Sequence, residues 1–298
     1  MTFTQRVKAN LAVSDFGSLD EKKSEVYAFL LFSSKVSEKE IILECDSAKI
    51  RDRFFELISS VFEIKGEKIE KSGKRKYLLE IKGESAGKIY REFFEDEISI
   101  SEEKIESEKQ FSSFLRGAYL ASGNSSDPEK EYRLEFSIKS MPLCIAFMEL
   151  LSERSVLLSF NQRNERFIAY TKDSSLIEDL FVLMGAGAAS LEIMNAKIAR
   201  DITNKINRVM NCDSANMRKT EQNAEKEIKA INYILEKEEN ILSDELLSVA
   251  KLRLQNPDSS LSELCSISET KISRSGMYHR LKKIVALADE LYKKEANR

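Results

Sequence analysis

A chain of 298 residues that is 42% hydrophobic and 33% charged can fill a sizeable core and is long enough for two domains; with 3 prolines and 10 glycines it favours long regular elements over disorder. The formal net charge of −3 hides an uneven distribution, since Glu95–Glu108 is mostly acidic while Lys271–Lys283 contains no acid, so overall acidity does not exclude a nucleic-acid partner. The four cysteines, Cys45, Cys144, Cys212 and Cys265, form no CxxC pair and the single histidine is His279, which argues against a zinc site or a disulfide framework and for reduced thiols in a cytosol.

The opening Met1–Val13 lacks the apolar core of a signal peptide, and no apolar run is long enough to cross a membrane, so secretion and membrane insertion are disfavoured. An internal repeat follows, at a spacing of roughly ninety residues. The first copy reads Tyr27–Leu30, a strand Ile41–Glu44, a helix Phe54–Phe62, a strand Tyr77–Ile81 and a helix near Ala86–Phe94. The second reads Gly117–Leu120, a strand Tyr132–Phe136, a helix Leu143–Leu151, a strand Arg166–Tyr170 and a helix Leu176–Met184. Within the strands Leu134 and Phe136 point one way and Arg133 and Glu135 the other. Lys65–Gly73 and Asn161–Asn164 read as hairpin connections. Such units predict an α+β arrangement in which helices cover one face of an antiparallel sheet. The two copies would pair about a pseudo-twofold axis, with Gly117, Ala118, Ala121, Ser122 and Gly123 letting two helices approach closely.

The segment Phe114–Gly123, FLRGAYLASG, resembles the LAGLIDADG helix of homing endonucleases through Leu115, Gly117, Ala121 and Gly123. In those nucleases a carboxylate near the end of each motif helix holds a catalytic divalent metal. Here the two matching positions carry Ser122 and Phe32, neither of which supplies a hard anionic oxygen. Asp127 lies nearby but precedes Pro128 and reads as a turn residue. No metal site, no cofactor and no catalytic residue is therefore expected, and the chain is read as a non-enzyme.

From Ala196 to Leu235 the pattern predicts one or two long helices, with Ile198, Ile202, Ile206, Val209 and Met210 at three- and four-residue steps. The other side carries Arg200, Asn204, Lys205, Asn207, Arg208, Asn211, Asn216, Arg218 and Lys219. Asparagine is a poor helix former. Its abundance fits capping and turns around Asn211–Asn216, or nucleic-acid contact by Asn204, Asn207, Arg208, Asn211, Asn216 and Lys219, or a plain linker with no ligand. A helix over Asp244–Gln255 then follows a cap at Ser243 and is stopped by Asn256-Pro257-Asp258. Ser260 and Glu263 make a capping box for a short helix carrying Leu261 and Leu264. After a turn around Ser266–Lys271, Ser273 caps a third helix whose Met277, Leu281 and Ile284 share one apolar face. Its other side shows Ser275, His279 and Lys282, flanked by Arg274, Tyr278, Arg280 and Lys283. A short helix, a turn and a basic helix is the helix-turn-helix order, so Ser273, Arg274, Ser275, Tyr278, His279, Arg280, Lys282 and Lys283 are the candidate contacts to double-stranded DNA. A solvated surface is the bland alternative for any basic helix; the turn spacing and the acid-free run favour DNA.

Taken together the pieces resemble the WhiA family of bacterial regulators. The opening Met1–Thr4 with Val7-Lys8, the run Phe114–Asn124 with Asp127–Lys130, the linker Asn207-Arg208, Asn211-Cys212, Ala215-Asn216 and Lys219-Thr220, and the terminal Asn256–Asp258, Ser273, Ser275-Gly276 and His279–Leu281 carry the likeness in the right order. It departs at Thr270-Lys271, where the family usually has a proline pair, and at Cys265, where a turn glycine is common. The resemblance implies a duplicated, degenerate LAGLIDADG-like domain without nuclease activity, with a first half over 1–110 and a second over 111–195. A helical linker over 196–242 and an all-α helix-turn-helix domain over 243–298 would follow. It also implies transcription control linked to sporulation, cell division or chromosome segregation at the nucleoid. A sigma factor or other regulator is a further expected partner, and an interaction module with weak DNA binding is the alternative.

Overall fold

Thr2 and Gln5 start a helix that the apolar pattern alone does not announce. The Thr2 hydroxyl accepts from the Gln5 amide at 3.3 Å and the Gln5 side chain accepts from the Thr2 amide at 2.9 Å, a capping box that opens α1 (Phe3–Leu11). The computed structural model describes residues 1–32, 35–62, 64, 77–94, 98–237 and 241–296. The chain divides into two units, Met1–Arg200 and Asp201–Arg298. No helix among the described residues is long and apolar enough to cross a membrane.

The first unit is the expected duplication. One half holds α2 (Leu19–Leu31), β1 (Lys35–Val36), β2 (Glu40–Cys45), α3 (Ala48–Phe62), β3 (Tyr77–Lys82) and α4 (Glu84–Phe93). The other holds α5 (Glu108–Ser122), β4 (Gly123–Ser125), β5 (Leu134–Ile138), α6 (Met141–Glu153), β6 (Ser159–Arg163), β7 (Arg166–Thr171) and α7 (Ser174–Leu183). The sheets run β1-β2-β3 and β4-β5-β7-β6, with every neighbouring pair antiparallel. Register keeps apolar residues on one face: Ile41 lies opposite Ile81, Leu43 opposite Leu79 and Phe136 opposite Ala169, all buried. Asp127 is the turn residue its context implies, its carboxylate accepting from the Glu129 amide at 3.1 Å.

One expectation needs correction in this unit. Asn161–Asn164 is not a hairpin connection: Asn161, Gln162 and Arg163 belong to β6, and the chain reverses at Asn164-Glu165, with Asn164 at φ 54°. Every residue of β6 is exposed, so the alternation that betrays a half-buried strand is missing there. The other expected connection, Lys65–Gly73, lies outside the described residues.

The two halves meet along α2 and α5. A Cβ on Gly117 would lie 2.6 Å from the Glu25 carbonyl oxygen and 2.9 Å from the Ala28 Cβ, so the backbones approach to a separation that only glycine permits. Below this crossing the fully buried Arg53 donates from Nη2 to Glu25 Oε2 at 2.9 Å and from Nη1 to the Ser14 carbonyl at 2.6 Å, while Arg116 Nη1 stands 3.7 Å from the same carboxylate. Lys8 is buried at the far end of α5, where its ammonium donates to the Leu120 carbonyl at 3.1 Å.

α8 (Gly187–Lys237) is one continuous helix, so the capping and turns considered for Asn211–Asn216 do not occur. Its apolar stripe does not find the packing that its periodicity suggests: Ile202, Ile206, Val209 and Met210 are all more than half exposed. The second unit adds α9 (Asp244–Gln255), α10 (Leu261–Ile267) and α11 (Arg274–Ala296), as the caps and the Asn-Pro-Asp stop predicted. The Ser260–Glu263 capping box is present, with Glu263 accepting from the Ser260 amide at 2.6 Å. Ser243 occupies the cap of α9 in extended backbone, but its side chain makes no capping bond. The turn falls at Ser268–Ser273, later than the expected Ser266–Lys271, because α10 runs on to Ile267. Ile231, Ile234, Leu246, Val249, Leu264, Met277, Leu281 and Ile284 fill the core of this unit.

Gly117→Ala should lower the thermal midpoint of the protein. The helix-propensity gain of about 1 kcal/mol is outweighed by overpacking of ~1–3 kcal/mol against a backbone carbonyl that cannot swing away. A raised midpoint in calorimetry would show that the helices are not in this contact.

Burial lowers the Lys8 ammonium from 10.5 to about 8, with Asp46 partly opposing the shift. Because the folded pKa lies below the unfolded one, the unfolded chain holds more protons between about 8 and 10.5, and the Lys8 contribution to stability rises with pH through that window. In urea titrations the stability of wild type relative to Lys8→Met should climb across this range, at up to ~1.4 kcal/mol per pH unit. A difference that stays flat from pH 7 to 10.5 would contradict the assignment.

Candidate nucleic-acid interface

The buried Met277, Leu281 and Ile284 fix which side of α11 faces the core, and thereby which side chains face water. The Ser273 hydroxyl accepts from the Gly276 amide at 3.1 Å and so starts the helix; it also lies 3.1 Å from the Ser275 hydroxyl. Two exposed strips then run side by side along the first turns. One carries Arg274, Tyr278 and Lys282; the other, one residue round, carries Ser275, His279 and Lys283. Arg280, expected among the DNA contacts, is half-buried and turned to α9, where Nη2 meets Glu245 Oε2 at 3.2 Å.

The first strip forms one wall of a cleft of about 580 Å³ within the second unit. The facing wall comes from α8: Asn216, Lys219, Thr220, Asn223 and Lys226, with Ser260 and Leu261 at the start of α10 closing one side. At the floor the buried Arg253 brings Nε to 2.8 Å from Glu227 Oε2 and donates from Nη1 to the Ser259 carbonyl at 2.6 Å. Burial pushes the Glu227 carboxyl above its usual range, and the guanidinium of Arg253 opposes that shift.

The ion pairs among the described residues of this unit are Lys229–Glu225, Lys237–Glu295, Arg253–Glu227 and Arg280–Glu245. None uses Lys219, Lys226, Arg274 or Lys282, so four cations meet across the cleft with no carboxylate assigned to them among the described residues. The arrangement can hold a polyanion: lysines as point charges, Arg274 as a bidentate donor, and Asn216, Thr220 and Asn223 as neutral hydrogen-bonding groups.

Of the linker residues singled out from sequence, Asn216 and Lys219 reach this cleft. Asn204, Asn207, Arg208 and Asn211 are exposed further along α8 and do not line it. The cleft reaches about two turns further along α8 than the residues that the sequence pattern picks out. Thr220, Asn223 and Lys226 continue the same face at helical steps from Asn216 and Lys219, and that spacing was the available signal.

The degenerate nuclease positions do not suit a divalent metal. The Ser122 hydroxyl donates to the Ala118 carbonyl at 2.9 Å, inside its own helix, and the Phe32 ring packs edge-on against Phe147 with centroids 5.2 Å apart. Neither offers the anionic oxygen that magnesium requires.

Two family models match this chain. The WhiA LAGLIDADG-like domain covers residues 111–203 and the WhiA C-terminal HTH domain covers residues 206–288. Among curated relatives, the probable cell division protein WhiA of Ruminiclostridium cellulolyticum is 30% identical over 312 residues, spanning 98% of this chain and 99% of that protein. Its namesake in Clostridium tetani is 36% identical over 197 residues, 65% of this chain and 62% of that protein. In fold, the chain is similar to full-length WhiA from Thermatoga maritima, with TM-score 0.63 and 23% identity over 97% of this chain and 99% of that one. It is also similar to the N-terminal LAGLIDADG domain of WhiA, with TM-score 0.50 and 21% identity over 62% of this chain and 92% of that one. The duplicated α+β unit, the helix-turn-helix unit and an end-to-end match to a curated relative place this chain in the WhiA family.

Proposed function

We propose that the protein is a DNA-binding transcription regulator acting on cell division, as the names of its relatives suggest, with sporulation and chromosome segregation as the wider field. The observation that supports this reading most directly is the exposed basic face of α11 within a helix-turn-helix unit, Arg274, Tyr278 and Lys282 beside Ser275, His279 and Lys283. Ser273 and Arg280 take supporting parts in it, the first as a cap and the second by holding α9. The exposed Asn204, Asn207, Arg208 and Asn211 extend a polar, partly basic surface along α8. The protein would work at the nucleoid in the cytoplasm, and it would not cleave DNA.

A second reading, an interaction module for a sigma factor or another regulator that touches DNA weakly, draws on a different feature. Met141, Ile145, Leu157 and Phe160 are exposed around an apolar groove of about 400 Å³ between α6 and the edge strand β6. Deleting 243–298 separates the readings, because regulation that survives the deletion favours the protein contact.

For the favoured reading, His279→Ala and Arg274→Ala should each weaken binding to a selected duplex by ~1–3 kcal/mol in fluorescence anisotropy. Equal affinity for all variants would count against α11 as the reader. Supercoiled plasmid incubated with the purified protein and magnesium should stay supercoiled; chelator-sensitive nicking would restore the nuclease reading.

A further inference from the structure

The α8–α11 cleft assigns different work to the two strips of the recognition helix. Resting on the reading that this unit binds duplex DNA, we propose that the cleft seats the phosphodiester backbone of one strand. Lys219 and Lys226 of α8 would oppose Arg274 and Lys282 of α11 across it, while Ser275 and His279 on the neighbouring strip meet base edges.

Three observations carry this. The cleft holds four cations that enter no ion pair among the described residues, and the carboxylate on its floor, Glu227, is matched by Arg253 at 2.8 Å. The cations come from two helices and are mostly lysine, a compact point charge that suits phosphate. Geometry supplies the third. An α-helix is about as wide as the major groove, so a helix lying in it has base edges along one strip and a phosphate wall along its flank. Tyr278 and Lys282 share their strip with the α8 wall, which stands where a base pair would otherwise approach. The strip of Ser275 and His279 lies about 100° round the helix and is not part of the cleft. Cationic walls on two helices suit a phosphodiester strand, whose charge they match, rather than the uncharged edges of stacked bases.

The linker helix is thereby part of the DNA-binding surface, through Lys219, which the sequence pattern suggested, and Lys226, about two turns beyond it. It follows that substitutions on α8 change affinity and its salt dependence, and substitutions on the outer strip of α11 change discrimination.

The test uses the full-length chain in fluorescence anisotropy. The probes are a 30-bp duplex of random sequence and the best 30-bp duplex that wild type recovers from a randomised pool, titrated at several salt concentrations. All four lysine and outer-strip positions tested are exposed, and circular dichroism checks that each variant folds. For Lys219→Gln with Lys226→Gln, both probes should lose affinity by the same factor, and the slope of log K against log salt should flatten by about 1.8, or about 0.9 for each lost phosphate contact. For Ser275→Ala with His279→Ala, the slope should stay at the wild-type value while the preference for the selected duplex falls by tenfold or more. A lysine pair variant with the wild-type slope, or one that loses only the selected duplex, overturns the clamp and leaves the DNA-binding reading standing. Wild type that binds neither probe overturns both.

Discussion

Arg253 and Glu227 join three segments of the second unit at one buried point. The guanidinium reaches a carboxylate on α8 at 2.8 Å and the Ser259 carbonyl just before α10 at 2.6 Å, from a position on α9 that is almost wholly out of water. Removing either partner would leave a buried charge unmatched, so the pair fixes where α8 lies against the helix-turn-helix more firmly than its net energy alone implies. The cationic cleft exists because of that placement: α8 supplies one wall and α11 the other, and the pair forms the floor. At the opposite end the stacked rings of Tyr233 and Tyr292, 3.8 Å apart, and the Glu295 carboxylate shared by Tyr233 and Lys237 hold the same two helices together. The basic side chains of the cleft lie N-terminal to this second contact on both helices.

The first unit is organised by a different constraint, the close approach of α2 and α5 at Gly117. In a duplicated nuclease scaffold the ends of these helices would carry metal-binding carboxylates. Here one end is spent on an internal hydroxyl bond at Ser122 and the other on an aromatic cluster of Phe32, Phe114 and Phe147. The scaffold keeps the helix crossing, whose packing stabilises the fold, without the groups that chemistry would need.

Much of the architecture was legible in the sequence because local chemistry decided it. The Ser260–Glu263 box, the Asn-Pro-Asp stop and the cap at Ser273 each act within a few residues, and the elements they bound stand where the residues indicate. Three strands escaped, β6 because all its residues are exposed, and β1 and β4 because they are only two and three residues long. The asparagine-rich stretch of α8 misled in one of its readings. Each asparagine costs a helix only a fraction of a kcal/mol, too little to break one already nucleated on both sides. Arg280 was grouped with the DNA contacts because a face of a helix is visible in sequence, whereas its partner Glu245 lies 35 residues away. Lys226 continues the helical spacing of Asn216 and Lys219, but only the folded cleft shows that this face meets Arg274 and Lys282.

The central claim is that α11 brings this protein to DNA. Genome-wide occupancy of the full-length protein in its own cells, compared with the Arg274→Ala, His279→Ala double variant expressed at the same level, addresses it most directly. The account predicts discrete sites for wild type that vanish in the variant. Occupancy unchanged by the two substitutions, or wild type enriched nowhere, would contradict it.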